Sequence, residues 1–431
     1  MSESLLVGRE LRTRPLGSMV SIDPESLPLG TKPSFEFHYF DISCAASGRL
    51  QMPDMSIAYA EAPSRARRIV KNGDVLMSTV RPNLKAFAYC NLPEGSYVAS
   101  TGFAVLRAIE GNDARYILYS ILSDDVARQI DCYVVGSNYP AINSSDVKRL
   151  QMPDWEPPQQ RRIAEILSTL DEAIEQTEAL IAKYQKIKAG LMHDLFTRGV
   201  TPDGHLRPTR TQAPHLYKDS PLGWVPKEWE VKSCSEICAK ITVGIVIRPA
   251  QYYVSEGIPA FRSANVREAG IDPSDLVFIS PRANILLAKS QLQTGDVISV
   301  RTGYPGTSAV VPTEFAGSNC IDLLISRPSS SIRAEFLVNW INSSFGKDQV
   351  LRKQGGLAQQ HFNVRELRDL LVVLPKMPEQ NAIIERLASI SLEIENEQTL
   401  VAKLRQQKHG LMQDLLTGRV RVKVAEAEEK L

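Results

Sequence analysis

The sequence predicts an α+β protein in which two mixed α/β globular domains alternate with two long helices. Three observations support this fold class: a duplication at a spacing of 220 residues, a seven-residue apolar repeat that ends each copy, and β-branched segments elsewhere. The 431 residues are enough for two or three domains, each with its own core. With 43% hydrophobic and 23% charged residues, the composition is typical of a globular chain rather than a disordered or fibrous one.

The duplication is most evident toward the end of each copy. Residues 158–200 and 378–420 align without a gap, and about 18 of the 43 aligned pairs are identical. The same spacing relates Asn143 to Asn363, and the Gly-Asp-Val segments that begin at Gly73 and Gly295 correspond at a spacing of 222. The chain is therefore two copies of one unit of about 220 residues.

Each copy ends in a segment with one narrow apolar face. Its apolar residues are spaced alternately by four and three, which is the pattern of a coiled-coil seam. The seam residues are Ile163, Leu167, Leu170, Ile174, Ile181, Tyr184, Leu191 and Leu195 in the first copy, and Ile383, Leu387, Ile390, Ile394, Val401, Leu404, Leu411 and Leu415 in the second. Two such helices of about 38 residues in one chain can bury their seams against each other.

The remaining segments predict mixed α/β structure. Strands are expected at 74–79, 103–106, 296–301, 308–311 and 321–325, since these segments are β-branched and end near Gly, Pro or Asn. Short helices are expected at 116–129 and 335–350. Residues 201–230 are rich in Pro, Gly and polar side chains, which is typical of a linker.

Several function classes lack support in the sequence. No apolar run approaches the roughly 20 residues that span a bilayer, and the first residues do not form a secretory signal. The six cysteines are expected to be reduced thiols, and Cys234 and Cys238 have no second Cys/His pair at zinc-finger spacing. No phosphate-binding loop, dinucleotide fingerprint or HExxH helix is present. The net charge of +1 argues against a uniformly basic coat for nucleic acid, but not against local basic patches.

Several motifs and their order resemble one family. The helix entry LPKMPEQ at 374–380, the domain entry DSPLGWVPKEW at 219–229, the two Gly-Asp-Val segments and the helix exit GLMQDLLTG at 410–418 are similar to motifs of type I restriction–modification specificity subunits. The resemblance covers residues 10–422 in the order domain, helix, domain, helix. One departure is the first helix entry, DWEPPQQ at 154–160, which is less regular than the second.

This resemblance implies both an architecture and a role. It implies two antiparallel helices as a spacer between two target recognition domains, related by a pseudo-twofold duplication. The expected segments are a first target recognition domain at 1–152, a first helical region at 153–200, a second target recognition domain at 201–372, a second helical region at 373–422 and a polar tail at 423–431. Each domain would read one half of a split sequence in double-stranded DNA, without a catalytic centre in this chain.

The resemblance also implies partners and a location. Two methyltransferase subunits and the restriction–translocase subunits would dock on the chain, and no membrane would be involved. S-adenosylmethionine, ATP and Mg²⁺ would be bound by those subunits, with no cofactor in this chain. The outward helix face that includes Arg161, Arg162, Asp171 and Glu172 is a candidate docking surface, although most such residues are simply solvated. The expected location is cytoplasmic.

Candidate DNA-binding residues lie in basic clusters and in polar loops. Arg and Asn side chains can contact base edges with two hydrogen bonds, while Lys and Arg anchor phosphates. The candidates of the first copy are Arg65, Arg67, Arg68, Lys71, Arg81, Asn83, Lys85, Ser137, Asn138 and Tyr139. Those of the second copy are Arg248, Arg262, Asn265, Arg301, Thr302, Tyr304, Lys353, Gln354, Gln359, Gln360 and His361. For each loop the alternative is an ordinary solvated turn.

Two other functions remain open on the residues alone. The chain could be a duplicated coiled-coil adaptor whose globular ends bind proteins rather than DNA. An enzyme ranks third, behind the specificity subunit and the adaptor, because the sequence contains no recognisable catalytic constellation.

Overall fold

The chain divides into two compact units, Met1–Glu178 with Thr399–Leu431 and Ala179–Gln398. The computed structural model describes residues 12–135, 140–352 and 361–423. The described helices are α1 (Ala114–Leu122), α2 (Asp124–Tyr133), α3 (Ser144–Arg149), α4 (Pro157–Thr197), α5 (Cys234–Ile237), α6 (Pro281–Leu286), α7 (Ala334–Asn342), α8 (Ser344–Arg352), α9 (Val364–Arg368) and α10 (Met377–Leu416). Each unit thus holds one globular domain, the start of the long helix that follows it and the end of the other long helix.

Two four-stranded sheets form the first unit. Its strands are β1 (Thr13–Pro15), β2 (Val20–Ile22), β3 (Glu36–Phe40), β4 (Ala45–Ala46), β5 (Arg49–Leu50), β6 (Ile57–Ala58), β7 (Ala66–Val70), β8 (Val75–Ser78), β9 (Phe87–Tyr89), β10 (Tyr97–Ser100), β11 (Phe103–Ala108) and β12 (Gln151–Pro153). One sheet has the order β2-β11-β8-β9 and is antiparallel, while β6-β3-β10-β7 contains a parallel β3–β10 pair. A separate β1–β12 pair lies just before α4 in the chain.

The second unit repeats the antiparallel sheet of the first and has a mixed sheet of a different strand order. Its strands are β13 (Tyr217–Lys218), β14 (Val225–Pro226), β15 (Glu230–Ser233), β16 (Cys238–Val243), β17 (Tyr253–Val254), β18 (Ile258–Phe261), β19 (Val266–Arg267), β20 (Gly270–Ile271), β21 (Val277–Ile279), β22 (Val297–Val300), β23 (Ser308–Val310), β24 (Asn319–Cys320), β25 (Leu323–Pro328) and β26 (Leu371–Leu374). The order β16-β25-β22-β23 matches the antiparallel sheet of the first unit, and β17-β21-β18-β24 again contains one parallel pair. The β15–β26 pair corresponds to β1–β12.

The single helices expected at 116–129 and 335–350 are corrected by the structure, because each is a pair of helices. The breaks fall at Ser123 and Ser343, whose ψ angles of 157° and 165° are extended rather than helical. The Ser123 hydroxyl accepts a hydrogen bond from the Val126 N–H at 3.3 Å, so it caps the second helix of its pair. Apolar periodicity continues through the break, which is why the sequence pattern does not reveal it.

Both long helices bury the seam that the sequence predicts. The buried seam residues are Ile163, Leu167, Ile174, Leu195, Ile383, Leu387, Val401 and Leu415. The half-buried ones are Leu170, Ile181, Tyr184, Leu191, Ile390, Ile394, Leu404 and Leu411. Burial is deepest near the helix ends, where the seam also packs on a globular domain.

Within the first unit, α4 and α10 run in opposite directions. Asp171 of α4 pairs with Lys408 at 2.5 Å, and Glu178, further along α4, pairs with Arg405, which lies earlier in α10, at 2.6 Å. The Trp155 indole N–H donates to the Leu415 carbonyl at 3.2 Å. The prediction of an α+β fold with paired antiparallel helices is therefore confirmed.

The two Gly-Asp-Val segments hold a buried ion pair in each domain. Asp74 accepts two hydrogen bonds from Arg107 at 2.8 Å, and Asp296 accepts two from Arg327 at 2.7 and 2.8 Å. Both aspartates are essentially inaccessible to solvent, at 1% and 0% exposure. Hydrogen bonding to Asp74 raises the pKa of Arg107. These motifs are therefore structural, because a carboxylate enclosed in this way cannot contact a ligand.

Candidate nucleic-acid interface

In the first unit, the loop after β8 lies against the segment that precedes α3. The Arg81 N–H donates to the Pro140 carbonyl at 2.7 Å, and the Ile142 N–H donates to the Thr79 carbonyl at 2.9 Å. The polar loop just before Pro140 falls outside the described residues, and with it Ser137, Asn138 and Tyr139. The loop after β8, called the strand-exit loop, thus lies next to Pro140, the residue that follows the polar loop.

The second unit repeats this arrangement. The Phe362 N–H donates to the Arg301 carbonyl at 2.9 Å, and the Thr302 hydroxyl lies 3.0 Å from Nδ1 of His361. Lys353, Gln354, Gln359 and Gln360 lie outside the described residues. Both units therefore place a strand-exit loop beside the residue that immediately follows a polar loop.

The first strand-exit loop is held in a strained conformation. Arg81 and Lys85, at either side of the turn Pro82–Leu84, have φ angles of 49° and 50°, which non-glycine residues rarely adopt. The Lys85 ammonium donates to the Leu122 carbonyl at 2.8 Å and anchors the loop to the end of α1. Asn83, within this turn, is exposed to solvent.

Most of the basic cluster at 65–71 is used inside the domain. Arg68 pairs with Asp23, and Lys71 pairs with Glu25 at 2.5 Å. The hydrogen bonds from Lys71 and Arg107 lower the pKa of Glu25.

The other two cations of that cluster differ in exposure. Arg67 is half-buried and lies over the ring of Tyr59, 5.3 Å from its centroid. Arg65 is exposed. Among the described residues, Arg65 is thus the cation of this cluster whose side chain is open to solvent and makes no hydrogen bond or ion pair.

Three candidates of the second unit are occupied by intramolecular contacts. The Asn265 amide is 1% exposed and donates to the carbonyls of Asp272 and Ser274 at 3.1 and 2.8 Å. Arg262 pairs with Asp275 at 2.8 Å, and Arg301 pairs with Asp322. Asn265 is corrected from a candidate contact to a residue that closes its own turn, because no polar atom of its amide faces solvent.

The remaining candidates of the second unit are open to solvent. Tyr304 is 82% exposed, and His361 is also exposed at its hydrogen bond to Thr302. Arg248 has a φ angle of 43° and follows Ile247, which is 75% exposed. An exposed aromatic ring, a hydroxyl and an imidazole at one sheet edge can stack on bases or bond to their edges.

Sequence reasoning missed a buried glutamine at the start of each long helix. The Gln160 side chain accepts from the Asp113 N–H at 3.0 Å and donates to the Trp155 carbonyl at 2.8 Å. The Gln380 side chain accepts from the Arg333 N–H at 2.9 Å and donates to the Pro375 carbonyl at 2.9 Å. The three positions of the first set correspond to those of the second at a spacing of 220 residues. Both glutamines are 0% exposed. The identity of Gln160 and Gln380 in the repeat was the available signal.

A buried cluster, absent from the sequence predictions, joins the second helix entry to the linker. The Glu379 carboxylate accepts from the Val200 N–H at 2.8 Å, from the Trp229 indole at 3.0 Å and from both terminal nitrogens of Arg207. The side chains of Arg207 and Glu379 are 7% and 11% exposed. This Glu379 cluster connects the end of α4, the linker and the start of α10 within the second unit.

Metal centres and membrane-spanning helices are two further features that a chain of this length can carry. Among residues 12–135, 140–352 and 361–423, no group of three or more His, Cys, Asp or Glu side chains could hold a metal ion. None of the helices in those ranges combines the length and the apolar composition of a membrane span.

Comparison with known proteins identifies the family. Residues 36–185 and 226–406 match the family described as "Type I restriction modification DNA specificity domain". The putative type I restriction enzyme MjaX specificity subunit of Methanocaldococcus jannaschii is 26% identical over 359 residues, which are 81% of this chain and 79% of that protein. The MjaVIII specificity subunit of the same organism is 24% identical, over 72% of this chain and 71% of its own length.

Solved structures have a similar fold. A chain from a study of complex assembly and conformational transition of the type I R-M system is 24% identical, with a TM-score of 0.57 over 96% of this chain and 99% of its own. The type I restriction–modification S subunit from M. genitalium is 14% identical, with a TM-score of 0.56 over the same shares. Because the family match covers most of the chain, in two copies that coincide with its duplication, this protein belongs to the specificity subunits of type I restriction–modification systems, which are non-catalytic.

Proposed function

We propose that this chain recognises a bipartite target in double-stranded DNA, with each globular domain reading one half. One observation carries the proposal: in both units the loop that leaves a central strand, β8 or β22, lies beside the residue that follows a polar loop. Two similar reading surfaces in one chain suit a target of two separate halves. Membership of the specificity family supports the same role.

Recognition divides between positioning and reading. Arg65 would bind a phosphate and orient the first domain on the duplex without reading sequence. Asn83 in the first unit, and Thr302, Tyr304 and His361 in the second, are exposed side chains that can contact bases. The polar-loop candidates outside the described residues would complete each surface.

The helices would set the spacer between half-sites and dock two methyltransferase subunits and the restriction subunits. On the proposed outward face, Arg161, Arg162 and Glu172 are exposed and open to a partner. Asp171 is less suited to docking, because it already accepts from Lys408 and, at 2.8 Å, from the Tyr119 hydroxyl. S-adenosylmethionine, ATP and Mg²⁺ would act on those partner subunits.

Methylation mapping tests the proposal. The chain is co-expressed with the methyltransferase subunit of its own type I system, and modified adenines are located by sequencing. We expect one motif of two short half-sites with a fixed number of unspecified base pairs between them. Asn83→Ala should relax one half of the motif, and Tyr304→Ala the other. A stable complex without any split motif would instead favour the protein-binding adaptor.

The spacer role has a separate test. Inserting seven residues, one heptad, into each of α4 and α10 keeps the seam in phase. The insertion should lengthen the gap between half-sites or abolish methylation. Methylation at an unchanged gap would contradict a spacer role for the helices.

A further inference from the structure

We propose that Gln160 and Gln380 are positioning residues that set the angle between each long helix and its own recognition domain, and thereby the spacing accepted between half-sites. This inference rests on the proposed function and deepens it. Each glutamine and its two partners form a helix–domain joint. The first joint is Gln160 with Asp113 and Trp155, and the second is Gln380 with Arg333 and Pro375.

Each joint connects three separate segments through one side chain. Gln160 lies in the first turn of α4, Asp113 is the N-cap residue of α1, and Trp155 lies between β12 and α4. The amide oxygen is used by one segment and the amide nitrogen by another, at 3.0 and 2.8 Å. A fully buried amide that is bonded at both ends cannot turn without breaking a hydrogen bond in a dry environment.

The contacts differ from an ordinary helix cap. A capping side chain bonds N–H groups of its own helix, whereas each glutamine bonds the N–H at the start of a different helix, α1 or α7. The interaction therefore fixes one element against another. Stability of α4 or α10 alone would not require it.

Both joints share two main-chain hydrogen bonds, to Asp113 and Trp155 in the first copy and to Arg333 and Pro375 in the second. The amide nitrogen also donates to the Asn112 side-chain oxygen at 3.4 Å in the first copy and to the Ser331 carbonyl at 3.0 Å in the second. The side chains at the four shared positions differ between the copies, yet the two main-chain hydrogen bonds are the same. A main-chain joint keeps its geometry when the domain sequence changes. That property suits domains that read different half-sites while their attachment to the helix must stay constant.

A small rotation at the joint has a large effect at the DNA. A domain of about 150 residues has a radius of gyration of about 15 Å, so the distance from the joint to the loops that would contact DNA is taken as about 25 Å. A rotation of about 8° over that lever moves the loops by about 3.5 Å, which is close to the 3.4 Å rise of one base pair. A loosened joint would therefore accept spacers one base pair shorter or longer.

The test uses a plasmid library in which the wild-type motif has its normal spacer or one changed by one base pair in either direction. The whole chain, in complex with its methyltransferase, carries Gln160→Met and Gln380→Met singly and together. Methionine keeps the volume of glutamine and removes all three side-chain hydrogen bonds of each glutamine. Each variant is scored by the ratio of methylation at the normal spacer to methylation at the altered ones.

We expect the double variant to lower this ratio by about tenfold, the size expected from losing buried hydrogen bonds, with both half-site sequences unchanged. The matched control is Gln176→Ala with Gln398→Ala, two exposed glutamines on the same helices, and it should leave the ratio unaltered. Val105→Ala, a core truncation away from the joints, should lower the unfolding midpoint without changing the ratio.

Two results would overturn parts of the reasoning, and they are distinguishable. An unchanged ratio in folded single and double glutamine variants would refute the positioning role. Absence of a fixed spacer in the wild-type complex would instead refute the proposed function on which it rests.

Discussion

Replacing Glu379 by glutamine is the sharpest test of the Glu379 cluster. The substitution keeps the shape of the side chain but removes its charge and one acceptor oxygen. Glu379 receives four hydrogen bonds, two of them from Arg207, whose side chain is only 7% exposed. The variant would therefore leave a buried guanidinium without its main counter-charge.

The magnitude follows from what remains around Arg207. Removing one partner of a buried ion pair costs about 3–5 kcal/mol of unfolding free energy. Arg207 keeps a 3.2 Å contact with the exposed Glu228 and a hydrogen bond to the Arg198 carbonyl at 3.0 Å, so the lower end, about 3 kcal/mol, applies. For a unit of this size the unfolding midpoint should fall by about 6–12 °C.

Thermal unfolding followed by tryptophan fluorescence measures this shift, because the buried Trp229 indole donates to Glu379. Glu393→Gln, an exposed residue on the same helix, is the matched control and should change the free energy by less than about 0.5 kcal/mol. The double variant Glu379→Gln with Arg207→Met should be less destabilised than Glu379→Gln alone, since no unpaired charge remains. A double variant as unstable as the sum of the two singles would refute the reasoning.

Further predictions concern acid stability, a close backbone approach and DNA contact. Hydrogen bonds from Arg49 and Arg405 hold the pKa of Glu178 below its ordinary 4.5. The stabilisation from ionised Glu178 is therefore present above pH 4.5 and is lost as the pH falls through the lower pKa of the folded state. Unfolding midpoints measured against pH should fall more steeply on acidification for the wild type than for Glu178→Gln. Gly199→Ala should lower the free energy of unfolding in urea by roughly 3 kcal/mol or more, because φ is 66° and the new methyl would overlap Glu379 and Trp229. The control Gly223→Ala, with φ at 85° and open space around it, should lower it by about 1–2 kcal/mol. Arg65→Ala should weaken DNA binding equally for all sequences and reduce the slope of log affinity against log salt by about 1 in titrations; a sequence-dependent loss would contradict phosphate contact.

The repeat made the equivalence of the two strand-exit loops predictable, but not what lies beside them. Arg81 and Arg301 correspond at the repeat spacing, and both lie beside the residue that follows the equivalent polar loop. Whether a given cation is available was not predictable. Arg68 is paired with Asp23, 45 residues away in the sequence, and only the tertiary fold brings the two together.

The sequence alone determined the duplication, the coiled-coil seam and the order of domains and helices. These features are local or periodic, so spacing along one chain is sufficient evidence for them. The tertiary structure alone decided that Asn265 is enclosed, that Arg65 and Tyr304 are open, and that Gln160 and Gln380 are buried and hydrogen-bonded to the start of another helix. Burial and hydrogen-bond partners depend on segments that are distant in sequence, and the same polar residue type can serve solvent, DNA or the core.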